Sequence, residues 1–422
     1  MQIKTMNLSL TKKISKVNFT AFIWHGIFLS LASNFMDVHT IIPSILIKAG
    51  GGSILLGLLT SIMIGGSGLV QIVFAGFLSN KEHKKKSLIL GVNLRIIALL
   101  FLSLMIFISE ELANTSLIFS IFILISIFSF SGSYANISYV DIMGKSILQE
   151  KRKKFFSLKQ SISSIGIILS AIAVKKILKD FSYPENYAIL FIGAGILLFI
   201  ASIGFWKINE IPTKIRKTRS FKEYLQTIPK EIANNSNLKN YLYIINYLGL
   251  SIGFIPFIIL YANKSFGLSN NLIGDFLLYK IIGMMIASLV LYKRSKNFEY
   301  KKLLYFSLTL GIFLPVLSLA FSNNIFIYKF IFFLTGVLIT VFKISKEGVL
   351  VEISDNENRA VYTGISGAGN ILPTIFPLIA GFFISILGYT ITFLMVSMII
   401  SLSIIYIIKL NCKKKDYMED IK

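Results

Sequence analysis

Charge is what this sequence has least of. Only 15% of its 422 residues are Asp, Glu, Lys or Arg, where a soluble globular protein carries about a quarter. A water-facing surface of ordinary composition is therefore excluded. There is one cysteine, Cys412, in the polar tail, so no disulfide within the chain and no cysteine-based metal centre can form. The three histidines, His25, His39 and His83, lack the spacing of a metal site, and no nucleophile–base set or paired acidic motif accompanies them. Enzymatic chemistry, a resident metal and a cofactor are not expected. The Gly50-Gly51-Gly52 run neither follows a strand nor precedes a Lys-Ser/Thr pair, which excludes a phosphate loop.

Apolar residues are abundant: 55% of the chain is hydrophobic and 13% aromatic, with a mean hydropathy of +0.73. A helix needs roughly 20 apolar residues to cross a hydrocarbon core. Segments of that kind fall at about 18–46, 53–78, 87–109, 115–143, 155–178, 186–206, 240–262, 270–292, 303–321, 325–350, 361–385 and 388–409. The first is too long for a signal-peptide core and lacks a small-residue cleavage site, so it reads as a retained span. Twelve spans predict an all-α polytopic membrane protein with both termini on one side.

Positive charge sets the side. With the N-terminus inside, the inner segments hold 31 Lys and Arg and the outer loops five: Lys48, Lys175, Lys176, Lys179 and Lys264. Both termini are therefore expected in the cytoplasm, in a cell (inner or plasma) membrane. The net charge of +23 is explained by these loops, and nucleic-acid binding is not expected. Residues 207–238 form the one long polar stretch. They divide the chain into bundles 1–206 and 239–422, six spans each. Phe221, Tyr224, Leu225, Ile228 and Ile232 recur there at helical spacing, with Lys222, Lys230 and Glu231 on other faces. An amphipathic helix on the inner leaflet, against anionic lipid, is the expectation; a solvated linker is the alternative.

The halves repeat at an offset close to 216. The second and eighth spans begin near Ser53 and Asn270, the third and ninth near Ser87 and Leu303. After the fourth span comes Arg152-Lys153-Lys154-Phe155-Phe156-Ser157-Leu158. After the tenth comes Arg359-Ala360-Val361-Tyr362-Thr363-Gly364-Ile365. Each follows an acidic residue at the preceding helix end, Asp141 or Glu352. Two pseudo-symmetric six-helix halves are the architecture of secondary transporters, with the site at the midplane between them.

With these features, and with Gly76-Phe77-Leu78-Ser79-Asn80-Lys81-Glu82-His83-Lys84-Lys85-Lys86 after the second span, the chain resembles the major facilitator superfamily over essentially its full length. That family's turn reads roughly Gly-x-x-x-Asp-Arg-x-Gly-Arg-Arg. Gly76 matches, Lys81 stands for the first Arg, and Lys84 and Lys85 stand for the basic pair. Asn80 replaces the Asp, and His83 the Gly. The second-half turn, Lys293-Arg294-Ser295-Lys296-Asn297-Phe298, keeps only its charge. The resemblance implies secondary active transport by alternating access of a monomer. It also implies conformational gating by Gly76, Asn80, Lys81, Lys84 and Lys85 with Asp141, Arg152, Glu352 and Arg359. An MFS-like membrane sensor without transport is the alternative that the degenerate second turn favours. The Gly-Pro-Gly signature of the family's drug/proton antiporters is absent from the fifth span.

Polar groups at membrane depth mark a pathway or a pair. The resemblance points to the first, fourth, seventh and tenth spans as cavity walls. Candidates for substrate or coupling contact are Asn34 and Asp37 in the first span and Asn136 and Tyr139 in the fourth. Asn246 and Tyr247 in the seventh, Lys280 in the eighth and Asn370 in the eleventh complete the set. Asp37 offers a carboxylate for proton or sodium coupling; the alternative is an Asp in the outer interface that pairs with Lys48 or caps a loop. Lys280, near mid-depth, either pairs with a carboxylate or attracts an anionic solute. Lys343 and Glu347, four apart, are expected to pair, and Arg95 is expected to be structural. The excess of Lys and Arg within the spans favours a small polar solute that is anionic or neutral rather than cationic.

Overall fold

The computed structural model describes residues 10–66, 70, 74, 77–78, 81–212, 229, 231–293, 299–354 and 359–411. Among these every regular element is a helix. The spans follow the apolar pattern closely. The third is Lys85–Phe107, the fourth Asn114–Ser146, the fifth Gln149–Asp180 and the sixth Glu185–Trp206. The eighth is Asn270–Lys293, the ninth Tyr300–Ala320 and the tenth Ile325–Ile353. Several run past their apolar segments, the fifth by six residues at its start. Hydropathy marks the hydrocarbon slab, whereas a helix continues into polar sequence for as long as its backbone bonds are satisfied.

The remaining spans are broken, each at an identifiable feature. The first runs Lys12–Ser33, tightens into a 3-10 turn over Asn34–Met36, becomes extended at Asp37 and resumes as Ile41–Lys48. The seventh runs Ser236–Gly253 and resumes as Ile255–Phe266, with Pro256 in the first turn of the new piece; a proline there lacks an N–H that would be unpaired anyway. These two breaks lie at the offset near 216 that the sequence repeat shows. The second span opens as Ser53–Thr60 and passes into a π-helical turn at Ser61–Gly66. Its remainder lies largely outside the described residues. The eleventh consists of Arg359–Ala368 and the start of Leu372–Ser401. Gly388, with φ of +77°, turns that second helix sharply, and Ser403–Lys409 ends the twelfth span. A positive φ is cheap only for glycine, so this residue makes two spans of one continuous apolar stretch.

In the first half the first span packs on the fifth and sixth, and the third on the fourth and sixth; in the second half the eighth and ninth pack on the tenth. The halves meet where the second span touches the eleventh and the fifth touches the eighth. A methyl group on Gly57 would sit 2.3 Å from the Pro377 carbonyl oxygen, and one on Gly381 would sit 2.3 Å from that of Ser53. Small residues let these backbones touch, and the Leu378 N–H donates to Ser61 Oγ at 3.2 Å. Gly381 is thus a contact residue between the halves. In the linker, residues 231–234 are helical; Phe221, Tyr224, Leu225 and Ile228 lie outside the described residues.

Candidate functional site

Among the described residues two ion pairs join the halves, one near mid-depth and one closer to the end of the bundle away from the chain termini. Lys280 is 1% exposed on its side chain, and its Nζ donates to Asp37 Oδ2 at 2.6 Å. Oδ1 of the same carboxylate accepts from the His39 N–H at 3.0 Å and from Thr40 Oγ1 at 2.7 Å. The break in the first span places Asp37 there, and its side chain in turn satisfies the backbone that the break leaves open. Lys280 lies ten residues into its helix, about 15 Å at 1.5 Å per residue, so the pair sits near mid-depth. Five residues back along the same helix, Asp275 accepts from Lys175 Nζ of the fifth span at 2.7 Å and from Lys329 Nζ of the tenth at 2.6 Å. The eighth span therefore carries both inter-half contacts.

The sequence singled out Asp37 and Lys280 separately, and the structure makes them partners, so the pairing of Asp37 with Lys48 is replaced. Lys175 had been counted as an outer-loop residue. Its pairing with Asp275 was missed because nothing in the sequence says that the fifth and eighth spans are neighbours.

The other candidates divide by what they touch. Asn34 is buried, and its amide donates to the Ile167 carbonyl at 2.7 Å and to Ser170 Oγ at 2.8 Å, tying the first span to the fifth. Asn246 spans the break in the eleventh: its amide donates to the Gly369 carbonyl at 2.6 Å, and its Oδ1 accepts from the Leu372 N–H at 2.8 Å. Asn370 lies in that break, where its carbonyl accepts from Thr374 Oγ1 at 2.8 Å. Tyr247 stacks with Tyr243 and Tyr406. Asn136 is exposed, and Tyr139 is half-buried, its hydroxyl accepting from Lys159 Nζ at 2.8 Å. Lys343 and Glu347 are both exposed, and their charged atoms do not come within ion-pair distance, so that expected pair is not formed. Solvated side chains of this length gain little by pairing.

At the termini end, Lys84 is buried and its Nζ lies 3.1 Å from Asp141 Oδ2, which also receives Lys145. The main surprise is Glu210. Its carboxylate accepts the backbone N–H groups of Lys84 and Lys85 at the start of the third span and lies 3.6 Å from His83 Nδ1. An anion at a helix N-terminus meets both unpaired donors and the positive end of the dipole. Lys85 Nζ in turn donates to the carbonyls of Trp206 and Ile208, each at 2.8 Å. Asn18 and Asn209 exchange hydrogen bonds of 2.8 and 2.9 Å. The start of the linker is thus fastened to the first half. An acidic residue at the start of so basic a stretch was the available signal. Lys81 lies over the Phe77 ring at 4.4 Å. Gly76 and Asn80 lie outside the described residues, as do the side chains of Arg152 and Arg359; Glu352 closes the tenth span.

Among the described residues no group of three His, Cys, Asp or Glu side chains is placed to hold a metal. A groove on the outer face of the first half is lined by Val17, Ala21, Trp24 and Ile203, with Lys16 and Lys207 at its edge.

Two consecutive stretches, residues 23–243 and 240–416, match the family model described as Major Facilitator Superfamily. The chain belongs to the major facilitator superfamily. No curated protein sequence matches it. Solved structures do, over nearly the whole length. A D-xylose–proton symporter aligns with a TM-score of 0.64 at 14% identity, covering 96% of this chain and 98% of that one. A POT family transporter in complex with 5-aminolevulinic acid aligns at 0.64 and 13%, covering 93% and 95%. The nucleoside transporter NupG aligns at 0.59 and 13%, covering 94% and 97%. At such identities the likeness is one of fold: twelve membrane helices in two six-helix halves. The chain is a membrane transporter of this superfamily.

Proposed function

We propose that the protein is a secondary active transporter that moves a small polar solute, anionic or neutral, by alternating access and draws on a proton or sodium gradient. The observation that carries this reading is where the halves hold each other. Among the described residues the ion pairs that join them are Asp37–Lys280, near mid-depth, and Lys175–Asp275, closer to the end away from the termini. At the termini end, Lys84–Asp141 lies within the first half and His83–Glu210 ties the start of the linker to it. Two halves held through single buried charges part when one of those charges is neutralised, which is what alternating access needs.

Asp37 is the coupling group in this reading. It sits where the first span breaks, and irregular backbone at membrane depth is tolerated where it lines a cavity. Protonation of its carboxylate removes the charge that holds Lys280 and releases that contact; a sodium ion competing for the same oxygens does likewise. Binding and conformation are thereby linked through one carboxylate. The groove edged by Lys16 and Lys207 suits an anionic lipid headgroup, with Val17, Ala21 and Ile203 giving it an apolar wall.

Reconstituted protein tests the proposal. Uptake of a solute into proteoliposomes should follow an imposed pH or sodium gradient. Asp37→Asn should abolish gradient-driven uptake while solute exchange without a gradient persists. Driven uptake undiminished in Asp37→Asn would remove Asp37 from the coupling role. Equal uptake with and without protein, over sugars, organic acids, nucleosides and peptides, would remove transport itself.

A further inference from the structure

The first half contains a second set of ionisable side chains that the inter-half contacts leave unused. Arg95 of the third span and Lys159 of the fifth each lie ten residues from the start of their helices at the termini end, about 15 Å into the bundle at 1.5 Å per residue. Tyr139 of the fourth lies seven residues from its helix end, about 10 Å from it. The Arg95 guanidinium lies 4.3 Å from the Phe128 ring centre. It fills the space beside Gly132, where a methyl group would meet its Nε at 3.3 Å. That Nε is buried and has no hydrogen-bond partner among the described residues. Lys159 rests its amine on the Tyr139 hydroxyl and ring. His25, 6% exposed, packs on Phe205 and Tyr139 within electrostatic reach of both cations, and its buried Nδ1 is also without a partner.

What sets this cluster apart is its charge balance. Lys84, Lys175, Lys280 and Lys329 each have a carboxylate within 3.1 Å. Among the described residues neither Arg95 nor Lys159 has one within ion-pair distance. A cation held at this depth without a counter-ion is costly, and a guanidinium is a planar fork matched to two acceptor oxygens. We propose that His25, Arg95, Lys159 and Tyr139 form the site for the anionic group, a carboxylate or phosphate, of the transported solute. The site rests on the transporter reading and gives that reading its substrate class. Arg95 would take the oxygens in bidentate fashion, Lys159 would turn from Tyr139 to the same anion, and His25 Nδ1 would meet a donor on the solute.

Direct binding tests this independently of flux. Purified full-length protein in detergent is titrated calorimetrically with sodium benzoate, succinate, lactate and glycerol phosphate, against chloride at equal ionic strength and against glycerol. At least one organic anion should bind below about 10 mM and glycerol should not. Arg95→Gln and Lys159→Gln should each weaken binding about tenfold or more, with Arg95→Lys recovering part of it. Lys159 is half-exposed, so its variant keeps the test open if Arg95→Gln does not fold. A lipid headgroup offers the same phosphate chemistry, so a second arm titrates phosphatidylglycerol in mixed micelles. Binding confined to that lipid overturns the proposal. So does the absence of anion binding above chloride, or affinity unchanged in both variants. Anion binding without flux would overturn the transport reading instead, and flux of a neutral solute unaffected by Arg95→Gln would overturn this site alone.

Discussion

Lys280 is enclosed almost completely, and its one carboxylate partner comes from the other half of the molecule. Removing one member of a buried pair leaves an uncompensated charge at a cost of about 3–5 kcal/mol, whereas removing both can be nearly neutral. Lys280→Met is therefore expected to lower the thermal unfolding midpoint in detergent clearly, and Asp37→Asn added to it should recover most of the loss. Strictly additive losses would show that the two do not act as a unit. Glu210 makes a similar argument at the termini end. Glu210→Gln keeps the shape but removes the charge from the helix start, and about 0.5–2 kcal/mol of stability should go with it. Both Asp37 and Lys280 stand out in the sequence because ionisable groups at membrane depth are rare. Their partnership does not, since it depends on the first span breaking just where the eighth passes. Glu210 was legible only as an acid in a basic stretch, with nothing to say which helix it would cap.

The spans themselves were largely readable, because lipid leaves a helix no alternative and apolar length is a direct measure of crossing. The breaks were readable in part. Pro256 announced the interruption of the seventh span, but the 3-10 turn at Asn34–Met36 and the π-helical turn at Ser61–Gly66 carry no local sequence mark. Asn246 shows how such a break is held. It binds backbone groups on both sides of the gap between Ala368 and Leu372, so Asn246→Leu should cost about 2–4 kcal/mol at roughly 1 kcal/mol per hydrogen bond with an unsatisfied carbonyl left behind. A thermal shift no larger than that of a surface control would contradict this. At the helix–helix scale, Gly57 and Gly381 hold the second and eleventh spans at backbone contact. Gly57→Leu cannot be accommodated without separating them, and solvent accessibility of a cysteine placed at Ser61 should rise several-fold, read by maleimide labelling in a Cys412→Ser background.

For the whole molecule, the two halves meet where the second span touches the eleventh and the fifth touches the eighth, and buried charge pairs are part of that seam. Two inter-half ion pairs make the conformational equilibrium sensitive to single charges. A differential of about 2.7 kcal/mol moves a two-state population roughly a hundredfold, less than the cost of leaving one buried charge without its partner. Spin labels at Ser182 and Asn323, exposed in the distal loops of the first and second halves, report this equilibrium directly. The distance distribution between them is measured by double electron–electron resonance in the Cys412→Ser background. The wild-type protein should show mainly a short distance, and Lys280→Met should add a longer population as the distal end opens. A distribution identical in the two proteins would contradict the claim that Asp37–Lys280 holds the halves together at that end.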